Sequence, residues 1–249
     1  MKVVVCVKQV SQLGDEVEFT GDGRDVDPDY LDSALNEWDG FAAEEALQLR
    51  ERLGGEVVVV TCGGEESEKA LRRTLAMGAD RAIRVEGAGR DPLSVGRALA
   101  QVVGAESPDL VLCGVQSSDS VQAATGTVLA ELCDLPRVAV VTKVDYDHGA
   151  RKAVVDRELE GGLVDRVECD TPAVLTIQTG INQPRYANLR AIKQAEQVEI
   201  AVSQATDAPS ASRVRRMFVP VRGESAEMLG TDPAEVAGRI AEIVKERTA

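Results

Sequence analysis

Aromatic side chains and histidine are scarce in this sequence, and long apolar runs are missing. The 249 residues include one Trp, three Tyr, three Phe and one His. The single His148 falls in a predicted hairpin turn, so no Ser-His-Asp set can be assembled and no catalytic residue is predicted. No apolar run approaches the ~18–20 residues that a membrane-spanning helix requires, so membrane insertion is not expected.

Cysteines are few and show no pairing pattern. The five are odd in number and scattered, without a C-x-x-C pair, which argues against a disulfide framework. No metal-binding residue is predicted. The apolar run at 3–7 is too short for the core of a signal peptide. We therefore expect reduced core cysteines in a cytoplasmic protein.

Positive charge is also in short supply. The 28 basic and 42 acidic residues give a net charge of −14, and no block of Lys or Arg offers a footprint for nucleic acid or anionic lipid. Arg outnumbers Lys by 21 to 7. This composition fits a surface suited to high salt, where self-repulsion is screened, and it fits a GC-rich genome equally well. The acidic pair Glu44-Glu45 is expected to be solvated on a helix face.

Short runs of β-branched residues alternate with longer segments of helical periodicity, which is the signature of βαβ units. The sequence therefore predicts an α/β fold with an open, mostly parallel, doubly wound sheet that is Rossmann-like. The predicted strands cover residues 2–7, 56–61, 81–85, 109–113, a segment after Pro136, and 173–177.

The connecting segments carry helix and turn signals. Asn36 is a predicted N-cap for a helix that ends near the Gly54-Gly55 pair. Residues 11–33 are expected to form a small hairpin or excursion, and residues 198–230 are expected to be irregular. Further helices are predicted at 66–76, 92–103, up to 132 after the loop 114–126, and 233–247.

Candidate binding loops follow from the predicted sheet. Ligands of open parallel sheets bind beyond the carboxyl ends of the strands, where the strand order reverses. The loops expected there contain Lys8, Cys62 and residues 114–126. The last is rich in Gly, Ser and Thr and ends at a helix N-terminus, which suits a phosphate. Helix capping alone also explains such residues, so both interpretations stay open; Walker A and G-x-G-x-x-G motifs are absent.

Five strings occur in order along the chain. They are VKQV at 7–10, NEWDGFAAEEA at 36–46, AMGADR at 76–81, RELEGGL at 157–163 and PAVLTIQTGINQPRYANLR at 172–190. Together they resemble the β subunit of the electron transfer flavoprotein family, in particular its archaeal halophile-type members. The resemblance covers about residues 1–200, and the last string is the most specific.

The resemblance implies an electron carrier rather than an enzyme, with an adenine-nucleotide α-hydrolase-like fold. Family β subunits hold a buried AMP, or a second FAD in the electron-bifurcating class that oxidises NADH. They pair with an α subunit that carries a redox-active FAD. The heterodimer takes electrons from acyl-CoA dehydrogenases and related donors and passes them to a membrane quinone oxidoreductase. Flavin supplies the chemistry, and the protein supplies position and potential.

The resemblance also assigns cofactor contacts. Within the loop 114–126 several residues match the family string, whereas Ser120, Ala123 and Ala124 replace an Asp, an Asn and a Gln. Altered nucleotide binding is therefore expected, with AMP as the first choice and a second FAD as the alternative. The implied nucleotide contacts are Cys6, Lys8, Asn36, Cys62, Gly114, Gln116, Asp119, Ser120, Thr125 and Gly126.

Partner contacts are implied at two places. Glu158 matches the family acid that pairs with an arginine of the mobile flavin domain of the α subunit. Arg185, Tyr186 and Leu189 lie in the string that corresponds to the family's recognition loop, here 182–195, whose leucine inserts into an apolar pocket of the dehydrogenase.

The sequence pattern alone favours simpler roles for these residues. Glu158 reads as a surface acid at a strand edge. Pro184 is expected to start a helix with Tyr186, Leu189 and Lys193 on one face, and Leu189 is expected to pack into the core.

The implied organisation is a nucleotide-binding domain at 1–200, which includes the recognition loop, followed by an arm at 201–249 that ends in a helix and packs on the α subunit. A tail of this kind needs a surface to lie against. A different class, a stand-alone adenine-nucleotide-binding regulator of the stress-protein kind, stays open as an alternative.

Overall fold

The computed structural model describes residues 1–14, 16–220, 223, 226 and 228–248. Its strands are β1 (Lys2–Cys6), β2 (Gln9–Leu13), β3 (Leu31–Leu35), β4 (Glu56–Cys62), β5 (Arg81–Glu86), β6 (Leu110–Gly114), β7 (Arg137–Asp147), β8 (Lys152–Glu158), β9 (Val164–Asp170), β10 (Ala173–Ile177) and β11 (Ala201–Gln204). Its helices are α1 (Glu37–Leu53), α2 (Glu68–Met77), α3 (Pro92–Glu106), α4 (Thr125–Leu132), α5 (Leu189–Gln197) and α6 (Pro233–Thr248).

Nine strands form the main sheet in the order β11-β5-β4-β1-β6-β10-β7-β8-β9. All pairs from β11 to β7 are parallel, and β8 and β9 continue the sheet as an antiparallel extension. The chain runs outward from β1 in both directions, so the strand order reverses between β1 and β6. The predicted open, mostly parallel, doubly wound sheet is confirmed, and its switch point lies beside β1.

Side chains that alternate along the buried strands divide the core into two layers. On β1, Val3 and Val5 face the layer that contains α1 and α2. Val4 and Cys6 face the opposite layer, which contains α3 and α4. Both faces of the central strands are covered, which explains why these strands read as continuous apolar runs.

The first connection forms the small excursion that the sequence predicts. β2 and β3 pair as an antiparallel ribbon outside the main sheet, and Phe19 and Val26 form an isolated bridge within the connection. Position 15 of this predicted excursion lies outside the described residues.

Two strands escaped the sequence analysis. β9 falls in a segment for which no strand was predicted, and β11 falls in 198–230, which were expected to be irregular. β9 lies at the sheet edge, where exposed charged side chains hide the strand pattern. β11 has four residues and one neighbour, β5. Positions 221, 222, 224, 225 and 227 of that segment, and position 249, lie outside the described residues.

The helix expected to start at Pro184 begins later. α5 starts at Leu189, and its N-cap is Asn188, whose Oδ1 accepts a hydrogen bond from the Ala191 N–H at 2.9 Å. Tyr186 therefore lies outside the helix, and the predicted shared face with Leu189 is wrong. The other predicted helices are confirmed within a few residues. Among the described residues, no helix is long and apolar enough to cross a membrane.

Candidate functional site

A cleft opens at the switch point, beyond the carboxyl ends of β1, β4 and β6. Eight residues that the resemblance assigned to a cofactor line it together, whereas Asp119 and Gly126 stand outside its lining. The eight are Cys6, Lys8, Asn36, Cys62, Gly114, Gln116, Ser120 and Thr125. The fold thus brings loops from distant parts of the sequence to one place.

Asn36 fixes the loop between β6 and α4. It occupies the N-cap position of α1, but its side chain makes no capping bond. Instead its Nδ2 donates to the Gln116 carbonyl at 2.8 Å, and its Oδ1 accepts from the Ser118 N–H at 3.3 Å. Because Asn36 is 1% exposed, these bonds replace water for a buried amide. The structure therefore places Asn36 as a clamp on this loop.

Asp39 joins the two strands that flank the switch point, and sequence reasoning missed it. Its carboxylate accepts from the Lys8 N–H at 2.7 Å and from the Gly114 N–H at 3.0 Å. Burial raises the pKa of the Asp39 carboxyl to about 7, although these N–H groups oppose the shift. Its position one turn after Asn36, in the string NEWDG, is the signal that could have found it.

The loop itself is strained and ends at an uncapped helix. Val121 and Ala123 have φ values of 51° and 49°, in the left-handed region that a β-branched residue such as valine rarely adopts. Ala124, the N-cap of α4, offers no side-chain oxygen, and no side-chain capping bond is made there. The first N–H groups of α4, beginning at Thr125, therefore lack the usual intrahelical partners at the edge of the cleft. Strain of this kind concentrates at ligand-binding loops.

Two glycines at the ends of the loop permit close packing. A Cβ at Gly114 would lie 2.5 Å from Asp39 Oδ1, and one at Gly126 would lie 2.6 Å from Thr176 Cγ2 and 2.7 Å from Cys113 Sγ. Any larger residue would push α1 or α4 away from the sheet. Their geometric role is thus to bring both helix starts against the strand ends.

Two cations at the cleft are paired with acids. Lys8 Nζ lies 2.6 Å from Asp119 Oδ1 and 3.2 Å from Ser117 Oγ. Arg90, which the sequence analysis did not single out, also lines the cleft and forms an ion pair with Asp25 of the excursion. Both pairs link separate loops across the cleft.

The chain beyond β11 is hydrogen-bonded to the cleft wall beside Arg90. Asp91 caps α3 by accepting from the Leu93 and Ser94 N–H groups at 3.1 Å. Its second oxygen accepts from Ser210 Oγ and from the Ala211 N–H, both at 2.7 Å. The Ser210 bond, with the backbone donors, lowers the pKa of Asp91 to about 2. The tail is thereby attached to the rim of the cleft.

The floor of the cleft is apolar and contains thiols. Cys6 and Cys113 are buried neighbours on β1 and β6, and Cys62 follows on β4. Burial raises the pKa of the Cys62 and Cys113 thiols to about 12 and that of Cys6 well above its usual value. All five cysteines are free, as predicted, but Cys62, Cys133 and Cys169 are only half-buried rather than core residues.

The segment 182–188 is extended, and α1 holds it. Asn182 Nδ2 donates to the Phe41 carbonyl and to Glu45 Oε2, each at 3.1 Å. The Glu44 carboxylate accepts from Arg185 three times, from the backbone N–H at 3.1 Å, from Nε at 2.8 Å and from Nη2 at 2.9 Å. Glu44 and Glu45 are therefore buried hydrogen-bond partners of this segment, and the expectation that they are solvated is wrong.

Tyr186 and Leu189 project from this segment into solvent. Tyr186 is 88% exposed and Leu189 is 79% exposed, so the expectation that Leu189 packs into the core is wrong. Arg185, by contrast, is engaged within the chain, because Glu51 also accepts from its Nη1 at 2.6 Å. Two exposed apolar side chains are thus displayed on a firmly held backbone.

Glu158 is exposed at the end of β8. It accepts a hydrogen bond from Gln178, which follows β10. Gln178 Nε2 donates to Glu158 Oε2 at 3.2 Å, and Gln178 Oε1 accepts from Trp38 Nε1 at 3.0 Å. Trp38 belongs to the first turn of α1. The same helix therefore contacts the cleft, the segment 182–188 and the support of Glu158.

Comparison with known proteins decides the family. A family model described as "Electron transfer flavoprotein domain" matches residues 26–208. The chain is 46% identical to the electron transfer flavoprotein subunit beta of Methylophilus methylotrophus, over 99% of this chain and 98% of the relative. The chain belongs to the electron transfer flavoprotein β-subunit family. It is also 33% identical to the corresponding subunit of Syntrophomonas wolfei, over 98% and 96%, and 30% identical to that of Bacillus subtilis, over 98% of both.

The electron transfer flavoprotein domain match contains most of the features described above. The span 26–208 includes α1, the loop between β6 and α4, Glu158 and the segment 182–188. It ends just after β11 and leaves out α6, which buries none of its side chains. The matched span thus covers the main sheet except β1, and the cleft except the residues of and just after that strand.

Proposed function

We propose that this chain is the nucleotide-holding β subunit of a heterodimeric electron carrier. It binds AMP in the cleft and pairs with an α subunit that carries FAD. The pair takes electrons from acyl-CoA dehydrogenases and related donors and delivers them to a membrane quinone oxidoreductase. The observation that carries the proposal is the strained loop with an uncapped helix start, placed at the switch point of a sheet of this family.

The chemistry of the cleft fits an adenine nucleotide. Its floor, formed by Cys6, Val60, Leu99 and Cys113, offers apolar contact to a base. The free N–H groups of the first turn of α4, which begins at Thr125, and the dipole of this helix suit a phosphate. Lys8 and Arg90 lie near the rim, where their present partners are Asp119 and Asp25, and a phosphate can compete with these acids for the two cations. An apolar floor with a few converging polar groups is the usual composition of a small-molecule site.

Redox chemistry belongs to the FAD shared with the α subunit, which accepts and donates the electrons when it is bound. The residues of this chain hold the nucleotide and position the α subunit. Asn36 and Asp39 keep the nucleotide loop in place, and Glu158 offers a carboxylate to a cation of the α subunit. Beyond β11 and the segment 210–211 that Asp91 holds, the rest of the arm at 201–249 packs on that subunit with α6. We place this carrier in the cytoplasm.

Exposed apolar residues support a docking role for the segment 182–195. Tyr186 and Leu189 lie where a partner can cover them, and burial of one leucine stabilises a complex by ~1.5–3 kcal/mol. An interface residue of this kind can dominate a transient affinity. Leu189 is the anchor that we assign to the donor dehydrogenase.

The nucleotide can be identified directly. The chain is purified with its α subunit, denatured by heat, and the released compounds are separated and quantified by absorbance and mass. One AMP and one FAD per heterodimer are expected. Two FAD and no AMP would reassign the chain to the bifurcating class, whereas release of no adenine nucleotide from an intact heterodimer would refute the cleft assignment. An Asn36→Ala heterodimer, which lacks the side-chain bonds to Gln116 and Ser118, should release less AMP with unchanged FAD.

A further inference from the structure

A second groove lies on the outer side of α1, between α2 and the segment 183–186. We call it the cationic groove. Its volume is about 590 Å³, and its floor includes Leu35, Phe41 and Met77. Its rim carries Lys69 and Arg73 on one side and the residues 183–186 on the other.

Both walls of the cationic groove are fixed to the rest of the chain. On one side Arg185 is held by Glu44, so the backbone of 183–186 has a defined position. On the other side α2 is joined to the end of α5, because Arg72 Nη1 donates to the Ala195 carbonyl at 2.7 Å and to the Val198 carbonyl at 2.5 Å. The groove is therefore a preformed surface.

Lys69 and Arg73 form no polar contact that stabilises the described part of the chain. Both are exposed on one face of α2, and neither has an ion-pair or hydrogen-bond partner among the described residues. Like charges four residues apart destabilise a helix slightly, so their placement does not serve α2. The net charge of the chain is −14, yet Glu37 is the one acid among the described residues that line this groove. Arg185 on the opposite wall is paired with both Glu44 and Glu51, so Lys69 and Arg73 are the two lining cations without an acid partner among the described residues.

We propose that the cationic groove receives an acidic segment with apolar side chains from the electron-donor dehydrogenase, as a second contact beside Leu189. The inference rests on the proposed function, in which the segment 182–195 docks that donor. Tyr186 belongs both to the groove wall and to the exposed docking surface, so the two contacts are continuous. The apolar floor takes apolar side chains, and the two free cations select acidic ones.

Charged groups at the rim of an interface act mainly on the rate of association. They steer oppositely charged partners together, and salt screens this effect. Leu189, an apolar contact, acts mainly on the lifetime of the complex. The two contacts therefore differ in their dependence on ionic strength.

Charge reversal tests the groove in the complete heterodimer. Lys69→Glu, Arg73→Glu and a control, Arg137→Glu, are compared. Arg137 is exposed, lies at the amino end of β7 and forms no ion pair among the described residues. Flavin reduction by an acyl-CoA dehydrogenase, itself reduced with its acyl-CoA substrate, is followed at 20 mM and 500 mM salt. The groove variants should lower the second-order rate constant about tenfold at low salt, and the difference should shrink at high salt.

Three outcomes are informative. A rate equal to that of Arg137→Glu refutes the groove. Lost pairing with the α subunit, at unchanged donor coupling per heterodimer, would assign the groove to that subunit and also refute the proposal. Leu189→Ala is measured in parallel: if it slows reduction while the groove variants do not, only the groove fails, and if it has no effect, the docking segment of the proposed function fails.

Discussion

Lys8 Nζ and Asp119 Oδ1 lie 2.6 Å apart, and this ion pair joins the loop after β1 to the loop after β6. The ammonium lowers the pKa of Asp119, although burial of the carboxyl opposes the shift. A phosphate bound at the start of α4 would compete with Asp119 for the same ammonium. The phosphate of the proposed ligand would therefore partly replace Asp119 as the partner of Lys8.

Asp119→Asn should tighten AMP binding, because it removes an anion that competes with the phosphate. Lys8→Met should weaken it, each by roughly threefold to tenfold. Binding is measured by calorimetry on heterodimer freed of nucleotide. Adenosine, which has no phosphate, serves as the control ligand and should bind all variants alike. If Asp119→Asn loses AMP, the acid holds the loop rather than competing with the ligand.

Asn36→Ala should leave the fold intact and reduce nucleotide retention. The substitution leaves the Gln116 carbonyl and the Ser118 N–H without their partner, at a cost of about 1–3 kcal/mol. AMP content per purified heterodimer measures the effect. Asn188→Ala, which removes the side-chain cap of α5 outside the cleft, should retain full AMP content. Equal nucleotide loss in both variants would show general destabilisation.

The buried Asp39 should make stability depend on pH in an unusual direction. A carboxyl whose pKa is about 7 when folded and near 4 when unfolded binds more protons in the folded state between these values. Its contribution is fully present below about pH 4 and is lost as the pH rises through about 7. The difference in unfolding free energy between wild type and Asp39→Asn should therefore decline from pH 5 to 8. A difference that grows with pH would mean that the two N–H donors outweigh burial.

Leu189→Ala should slow flavin reduction by an acyl-CoA dehydrogenase strongly while folding, flavin content and α pairing are unchanged. The side chain is exposed, so its truncation leaves no cavity in the core. The loss of up to ~3 kcal/mol of contact corresponds to a rise in apparent KM of about 100-fold. Leu132→Ala, at a half-exposed leucine at the end of α4, is a matched control. Unfolding of the Leu189 variant would contradict its exposed position.

Glu44→Gln should loosen the docking segment without unfolding the sheet. Arg185 keeps Glu51 and stays partly exposed, so we expect a cost on the order of 2 kcal/mol rather than that of a fully buried pair. Hydrogen exchange at 183–188 should rise, with KM for the donor affected more than kcat. Glu51→Gln, which removes a half-exposed partner of the same arginine, should change exchange little. If Glu51→Gln raised hydrogen exchange at 183–188 more than Glu44→Gln does, Glu51 rather than Glu44 would be the residue that holds the segment.

The sequence predicted the sheet and the position of the cleft, because apolar strand runs and glycine-bounded loops are local signals. Val3–Val7 and 173–177 read as buried strands without tertiary information. The contacts that organise the site are long-range. Neither Asp39 bonding to Gly114 nor Glu44 bonding to Arg185 leaves a local pattern, and an acid in a helix is ordinarily solvated. The helix expected at Pro184 failed for the same reason, since α1 holds that segment extended.

α1 holds the loop between β6 and α4 through Asn36 and Asp39, the support of Glu158 through Trp38, and the segment 182–188 through Glu44. A heritable change in this helix would therefore alter several traits of the carrier together, and selection on one would be opposed by loss in another. Among the described residues, α5 and the exposed Tyr186 form no hydrogen bond with the loop between β6 and α4 or with the support of Glu158. We expect lineages that acquire a new electron donor to change at 186–197 while the first half of α1 drifts slowly.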